Sequence, residues 1–210
     1  MDNYSKAINC TQCGDALNLN FKYSKITQCP SCESTLFLKD ESVLNFGKKS
    51  MLTDEETLLQ LNEKFTYNDW SFRPIGKIRY VYALGFWEEW FVLNEKNESL
   101  WISVDEGNFV IEESLLLSEQ EIKTIFDKEH VRNNVKINKK SYRITEKGKG
   151  ICEGFTGELS RQIEVGEELH YLHLTALKEN EHITLEKEGN SYSAYVGKWI
   201  DAYEIEREDG

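Results

Sequence analysis

Long apolar runs, cationic surplus and abundant histidine are all missing from this chain. No stretch approaches the ~18 apolar residues that a membrane-crossing helix needs. The N-terminal MDNYSKAINC has no apolar segment of the kind a secretory signal carries, so the expectation is a cytoplasmic protein without membrane insertion. Cysteine is sparse too: once a metal-type quartet is set aside, one of the five, Cys152, is left over, which argues against a disulfide scaffold. Only four histidines occur, His130, His170, His173 and His182. On a strand, His170-x-x-His173 would face opposite ways, which favours a satisfied or exposed pair over metal ligands. Cys152 has no base beside it in sequence and reads as a small buried residue. No P-loop, Gly-x-Ser-x-Gly elbow or HExxH helix is present. Gly148-x-Gly150 with a later Gly154 has neither the spacing nor the βαβ setting of a dinucleotide fingerprint. There is no positive case for an enzyme, although a hydrolase with a hidden carboxylate site stays open.

The shortage of positive charge also sorts partners. The formal net charge is −12, and residues 1–50 are almost neutral, with six lysines and five acids. The remainder carries 19 basic and 32 acidic residues. Such a surface repels nucleic acid and anionic lipid, because a polyanion binder needs basic groups to replace counterions. A protein partner or a small cation such as a polyamine fits better. Hydrophobic content of 40% with 12% aromatics is that of a folded, globular chain.

What the chain does have begins with Cys10-x-x-Cys13 and Cys29-x-x-Cys32, fifteen residues apart. A CxxC turn puts two sulfurs on one side of a tight loop, and two such loops complete a tetrahedron around Zn²⁺. Gly14 leaves room for the first turn, and Pro30 stiffens the second. Leu17-Asn18-Leu19-Asn20-Phe21 and Thr35-Leu36-Phe37-Leu38 read as paired strands. A forty-residue ribbon has too little core to stand alone, so the metal would supply roughly 10–16 kcal/mol of its stability. Four thiolates leave no open position, which makes the site structural; a redox pair and a rubredoxin-like iron site are the alternatives.

The rest alternates as β-structure. The organisation expected is a zinc ribbon (1–40), a linker (41–58), a first β-unit (59–117), a connecting helix (118–132) and a second β-unit (133–206). Thr53-Asp54-Glu55-Glu56 and Ser118-x-x-Glu121 have capping-box spacing, and Ile122, Ile125 and Phe126 follow the latter at helical intervals. Gly148 and Gly189 repeat the settings of Gly76 and Gly107, which suggests an internal repeat with an excursion within Gly154–Glu168. The fold class is mostly β: a ribbon plus an antiparallel barrel or sandwich.

The densest stretch is Ile75–Ile111. On a strand, Trp87 and Glu89 share one face, and Glu88 and Trp90 share the other. Two readings compete. The aromatics fill a β-core with solvated glutamates, or Trp87, Glu89, Trp90, Trp101, Asp105 and Glu106 form an aromatic and acidic site for a cation.

From Leu59 to Ile205 the chain resembles the bacterial family called domain of unknown function 4178. The residues that carry this are Ile75-Gly76-Lys77-Ile78-Arg79-Tyr80-x-Tyr82, Trp87-x-Glu89-Trp90-Phe91-x-Leu93, Trp101-Ile102-Ser103 and Glu106-Gly107. Gly157-Glu158-Leu159, Val165-Gly166-Glu167-Glu168 and Tyr195-Val196-Gly197 match in the second half. Asn62 stands where the family often has Gly, and Ser160-Arg161 where Pro-Trp is common, so no role carries over to that loop. The resemblance implies an adaptor or regulatory protein of a bacterial membrane-stress system, sometimes encoded near polyamine-synthase-like proteins. It implies no catalytic residue.

Overall fold

The computed structural model describes residues 4–39, 42–50, 52, 57–128 and 130–208. The capping-box sequence at 53–56 lies outside them. The N-terminal part contains β1 (Lys6–Asn9), β2 (Ala16–Leu19), β3 (Ile26–Gln28), β4 (Ser34–Lys39) and β5 (Ser42–Lys49). β1 and β2 form one antiparallel hairpin, and β3, β4 and β5 form an antiparallel meander. Leu17 and Leu36 pack with Cys10 and Cys29 in a small core of their own. Residues 42–49, read from sequence as linker, instead pair with β4.

The larger part contains β6 (Phe65–Tyr67), β7 (Trp70–Tyr82), β8 (Gly85–Asn94), β9 (Ser99–Asp105) and β10 (Asn108–Ser114). Helix α1 (Glu119–Lys128) follows, then β11 (Asn134–Ile137), β12 (Lys140–Leu159), β13 (Glu168–Ala176), β14 (His182–Glu188), β15 (Ser191–Ile200) and β16 (Ile205–Arg207). The order β7-β8-β9-β10-β15-β14-β13-β12 closes on itself because β12 also pairs with β7. All eight neighbouring pairs are antiparallel. The two β-units therefore make one barrel, joined first strand to first and fourth to fourth. The turns matched by sequence, at Gly107 (φ 82°) and Gly189 (φ 56°), are the third connection of each four-strand meander.

Strand β12 is twenty residues long. Its register shifts between Ile144 and Glu146, and again between Cys152 and Gly154. A bulge re-aims the side chains that follow it. Tyr142 and Ile144 accordingly pack outside the barrel, whereas Glu146 lines its interior. The strand continues through Leu159, so the excursion placed within residues 154–168 is confined to the 160–167 connection.

Each half of the barrel has its own outer cover. Ile122 and Phe126 of α1 pack on Ile144, Leu172, Leu174, Ile183 and Leu185, and burying each such side chain contributes about 1.5–3 kcal/mol. The helix starts where the capping box placed it: Ser118 and Glu121 exchange hydrogen bonds, with the Ser118 hydroxyl donating at 2.6 Å. Over the other half, Leu59, Phe65, Ile200 and Ile205 cover Phe72, Trp90, Val92 and Ile102. Among the described residues no helix is long and apolar enough to cross a membrane.

The ribbon docks on the barrel wall. β3 pairs with the end of β12 through Thr27–Glu158 and Ile26–Leu159. The buried Glu158 carboxylate accepts from the Asn20 and Phe21 amides, from the Asn20 side chain and from the Ser24 hydroxyl. Phe21 then meets Phe91 edge to face, 5.3 Å between centroids, and Phe91 meets Trp101 at 4.9 Å. A continuous core thus runs from the ribbon into the barrel.

Candidate functional sites: the cysteine cluster and the barrel cavity

Cys10 follows β1, Cys29 follows β3, and Cys13 and Cys32 sit in the turns beyond them. The Cys10–Cys32 and Cys13–Cys29 sulfurs are each 3.7 Å apart, and all four sulfurs lie within 4.8 Å of one another. Disulfides, with sulfurs about 2.05 Å apart, are absent from the cluster. The Gln12 amide points at the Cys10 sulfur from 3.4 Å, and Gly14 closes the turn at φ 81°. Four sulfurs at these separations fit tetrahedral coordination, and the cluster could bind a metal ion.

The second site is a cavity of about 210 Å³ inside the barrel. The alternation read from β8 holds. Glu88 and Trp90 face outward, where the buried Glu88 carboxylate accepts from Lys77 at 3.0 Å and Arg79 at 2.8 Å. The Lys77 ammonium also sits 4.9 Å from the Trp90 ring centre. Trp87 and Glu89 face inward and line the cavity. Gly150 makes this possible: a Cβ there would lie 2.2 Å from a Trp87 ring carbon, and one on Gly148 would strike Tyr171. These glycines, unrelated to a nucleotide loop, are clearances for two aromatic rings.

Glu89, Glu112, Glu186 and His182 are buried in the interior, and Asp105 and Glu146 are exposed at the mouth. Arg161 reaches in from the 160–167 connection, giving one guanidinium nitrogen to Glu89 at 2.5 Å and another to Glu186 at 2.6 Å. It also donates to the Tyr80 hydroxyl at 3.2 Å and lies 5.1 Å from the Trp101 ring centre. Two carboxylates share one cation. Burial, and then the Glu186 charge, push Glu89 up to about 8 against the opposing pull of Arg161.

Glu112 has a different environment. The Thr184 and Ser103 hydroxyls donate to it, and burial raises its pKa. At the mouth, Glu146 accepts from His173 and from the Tyr171 hydroxyl, and these bonds, His173 foremost, hold it down at about 2. Burial raises Asp105, and Glu106 adds to the effect. His182 is 2% exposed, its Nδ1 has no hydrogen-bond partner among the described residues, and burial pushes it down to about 3. Its ring meets His173 and Trp199 edge to face.

Of the residues singled out from sequence, Trp87, Glu89 and Asp105 line the cavity, and Trp101 lies beneath the Arg161 guanidinium. Trp90 and Glu106 do not join them; both border a separate hollow outside the barrel. His170 pairs with Glu168 at the surface, apart from His173. Cys152 is buried, as read. Glu112, Glu146, His173, His182, Glu186 and Trp199 were not legible as site residues. Arg161 was set aside with its loop, yet it is the guanidinium of the barrel interior. The cavity's carboxylates and imidazoles nowhere converge in threes as the cysteines do, among the described residues.

No curated protein and no solved structure matches the chain. A family model does, over residues 60–202, which is more than half of the sequence and takes in every strand of the barrel. The chain with this acidic barrel cavity belongs to the family described as Domain of unknown function (DUF4178).

Proposed function

We propose that the protein is a non-enzymatic binding module whose barrel takes a small organic cation, with a structural zinc ion in its cysteine cluster. The observation that carries the first part is the charge of the cavity. Asp105, Glu112, Glu146 and Glu186 line one space of about 210 Å³ with Glu89, which keeps its proton up to about 8, and Arg161 is the guanidinium that pairs with Glu89 and Glu186 at its edge. Carboxylates buried without counter-charge are costly to the fold, so a bound cation relieves a strain already built in. Trp87, Tyr171 and Trp199 complete the wall, and aromatic faces attract cations by about 0.5–2 kcal/mol each. Cavities for drug-sized ligands run to roughly 300–1,000 Å³, so this one suits something slender, such as a short diamine.

Zinc is the metal that the cysteine cluster fits best. Zn–S bonds of about 2.3 Å in a tetrahedron put sulfurs about 3.8 Å apart, close to the 3.7 Å separations here. Thiolates persist in a reducing cytoplasm. An adaptor or regulatory role through a protein partner fits a module whose state depends on a small cation, and that partner would read the occupied barrel.

The test is a thermal-shift and calorimetric titration of zinc-loaded protein with 1,4-diaminobutane and spermidine, beside nucleotides and sugars. A saturable rise in Tm with an amine is expected, worth about 2.7 kcal/mol at a hundredfold excess over Kd. A response to nucleotides or sugars and none to amines would overturn the reading. Elemental analysis should find one zinc per chain.

A further inference from the structure

The cavity's carboxylates are not equivalent, and the difference narrows the ligand. Glu89 and Glu186 are committed to Arg161. Glu146 is committed to Tyr171 and His173, and Asp105 stands near the Tyr82 hydroxyl at 3.4 Å. Glu112 is 4% exposed and receives only two hydroxyl hydrogen bonds, one on each oxygen. No cationic side chain comes within ion-pair distance of it among the described residues. A carboxylate offers about four lone-pair positions, so roughly two on Glu112 are left to whatever enters. His182 lines the same cavity from β14, two residues before the Thr184 that holds Glu112. It is 2% exposed, with an unpartnered ring nitrogen.

Resting on the cation-binding reading, we infer that the ligand is a primary or secondary ammonium whose N–H groups bind Glu112, and that the site discriminates against quaternary ammonium ions. The reason is directional. An N–H cation supplies both charge and donors, and it meets the open lone pairs of Glu112 in charge-assisted hydrogen bonds. A quaternary ion brings charge alone. It would cover Glu112 and displace water without replacing its hydrogen bonds, which is the expensive way to bury a polar group. Cages for quaternary ions depend on aromatic faces, whereas here the deepest uncommitted group is a carboxylate. Guanidinium is already represented by Arg161, which is committed to Glu89 and Glu186 and leaves Glu112 for a compact head.

The experiment is calorimetric titration of the full, zinc-loaded chain with 1,4-diaminobutane and, separately, with tetramethylammonium and choline. Glu112→Gln is titrated in parallel and its Tm recorded. Wild type should bind the diamine at least tenfold more tightly than either quaternary ion. Glu112→Gln should lose about tenfold or more in diamine affinity while its Tm stays at or above that of wild type. Equal binding of tetramethylammonium and diamine would overturn this inference and leave the cation-binding reading standing. So would undiminished diamine binding by a folded Glu112→Gln. Failure of wild type to bind any of the three cations would remove the cation-binding reading itself, and this inference with it.

Discussion

The wall of the barrel carries buried carboxylates on both faces, and they are treated in opposite ways. Glu88, facing out, is 2% exposed and sits between Lys77 and Arg79. Glu112, facing in, is 4% exposed and has two hydroxyls and, among the described residues, no ion-pair partner against it. Burial is nearly equal, so loss of water does not separate them. Counter-charge does. An anion that the chain neutralises itself belongs to the scaffold, whereas one left with spare lone pairs in a cavity is a binding group. Glu158 extends the first class: its carboxylate is spent on the donors of the Asn20–Ser24 turn and holds the ribbon to the barrel.

The largest effect should come from the outer face. Glu88→Ala removes the anion that the buried Lys77 and Arg79 share, leaving the more distant Glu153 at 3.7 Å from Arg79, and about 3–5 kcal/mol of stability should be lost, read from urea denaturation. A change under about 1 kcal/mol would dissolve the distinction between the faces. Glu158→Ala should cost less, about 2–3 kcal/mol, since hydrogen bonds to a charged acceptor are stronger than neutral ones. Its signature is local: amide exchange should accelerate at Asn20–Ser24 before it does in β8 or β9.

The interior should announce itself through pH. Glu89 holds its proton up to about 8 in the folded chain, against about 4.3 when unfolded. Between those values the native state binds more protons than the unfolded one, so this contribution to stability is full below about pH 4 and lost as pH rises through 8. A melting curve taken at intervals from pH 5 to 8.5 should show that decline, and saturating diamine should flatten it. Smallest of all is Glu112→Gln, expected within about 1 kcal/mol of wild type or more stable, because it removes an uncompensated buried charge. A loss as large as that of Glu88→Ala would place Glu112 in the scaffold.

The sequence was most readable where chemistry fixes spacing. The CxxC pairs located the sulfur cluster, Ser118-x-x-Glu121 located the start of α1, and strict alternation put Trp87 and Glu89 on one face. What escaped was closure. His182, Thr184 and Glu186 alternate with Ile183 and Leu185, the pattern of a strand with one wet face, and only the pairing of β12 with β7 turns that face into an interior. Glu146 escaped because a bulge after Ile144 reverses the alternation on which period-2 reading depends. Arg161 gave no local sign, since its partners Glu89 and Glu186 lie 72 and 25 residues away. The ribbon's attachment was hidden for the same reason: Glu158 and Asn20 are 138 residues apart.

The most direct test of a cation site inside this barrel follows the five tryptophan indole N–H signals by NMR while 1,4-diaminobutane is added to zinc-loaded protein. Trp87 and Trp199 border the cavity, whereas Trp70 and Trp90 pack in the outer cluster. The account predicts saturable shifts at Trp87 and Trp199 with Trp70 and Trp90 unmoved. Movement of Trp90 while Trp87 stays still, or no saturable movement at any indole, would contradict it.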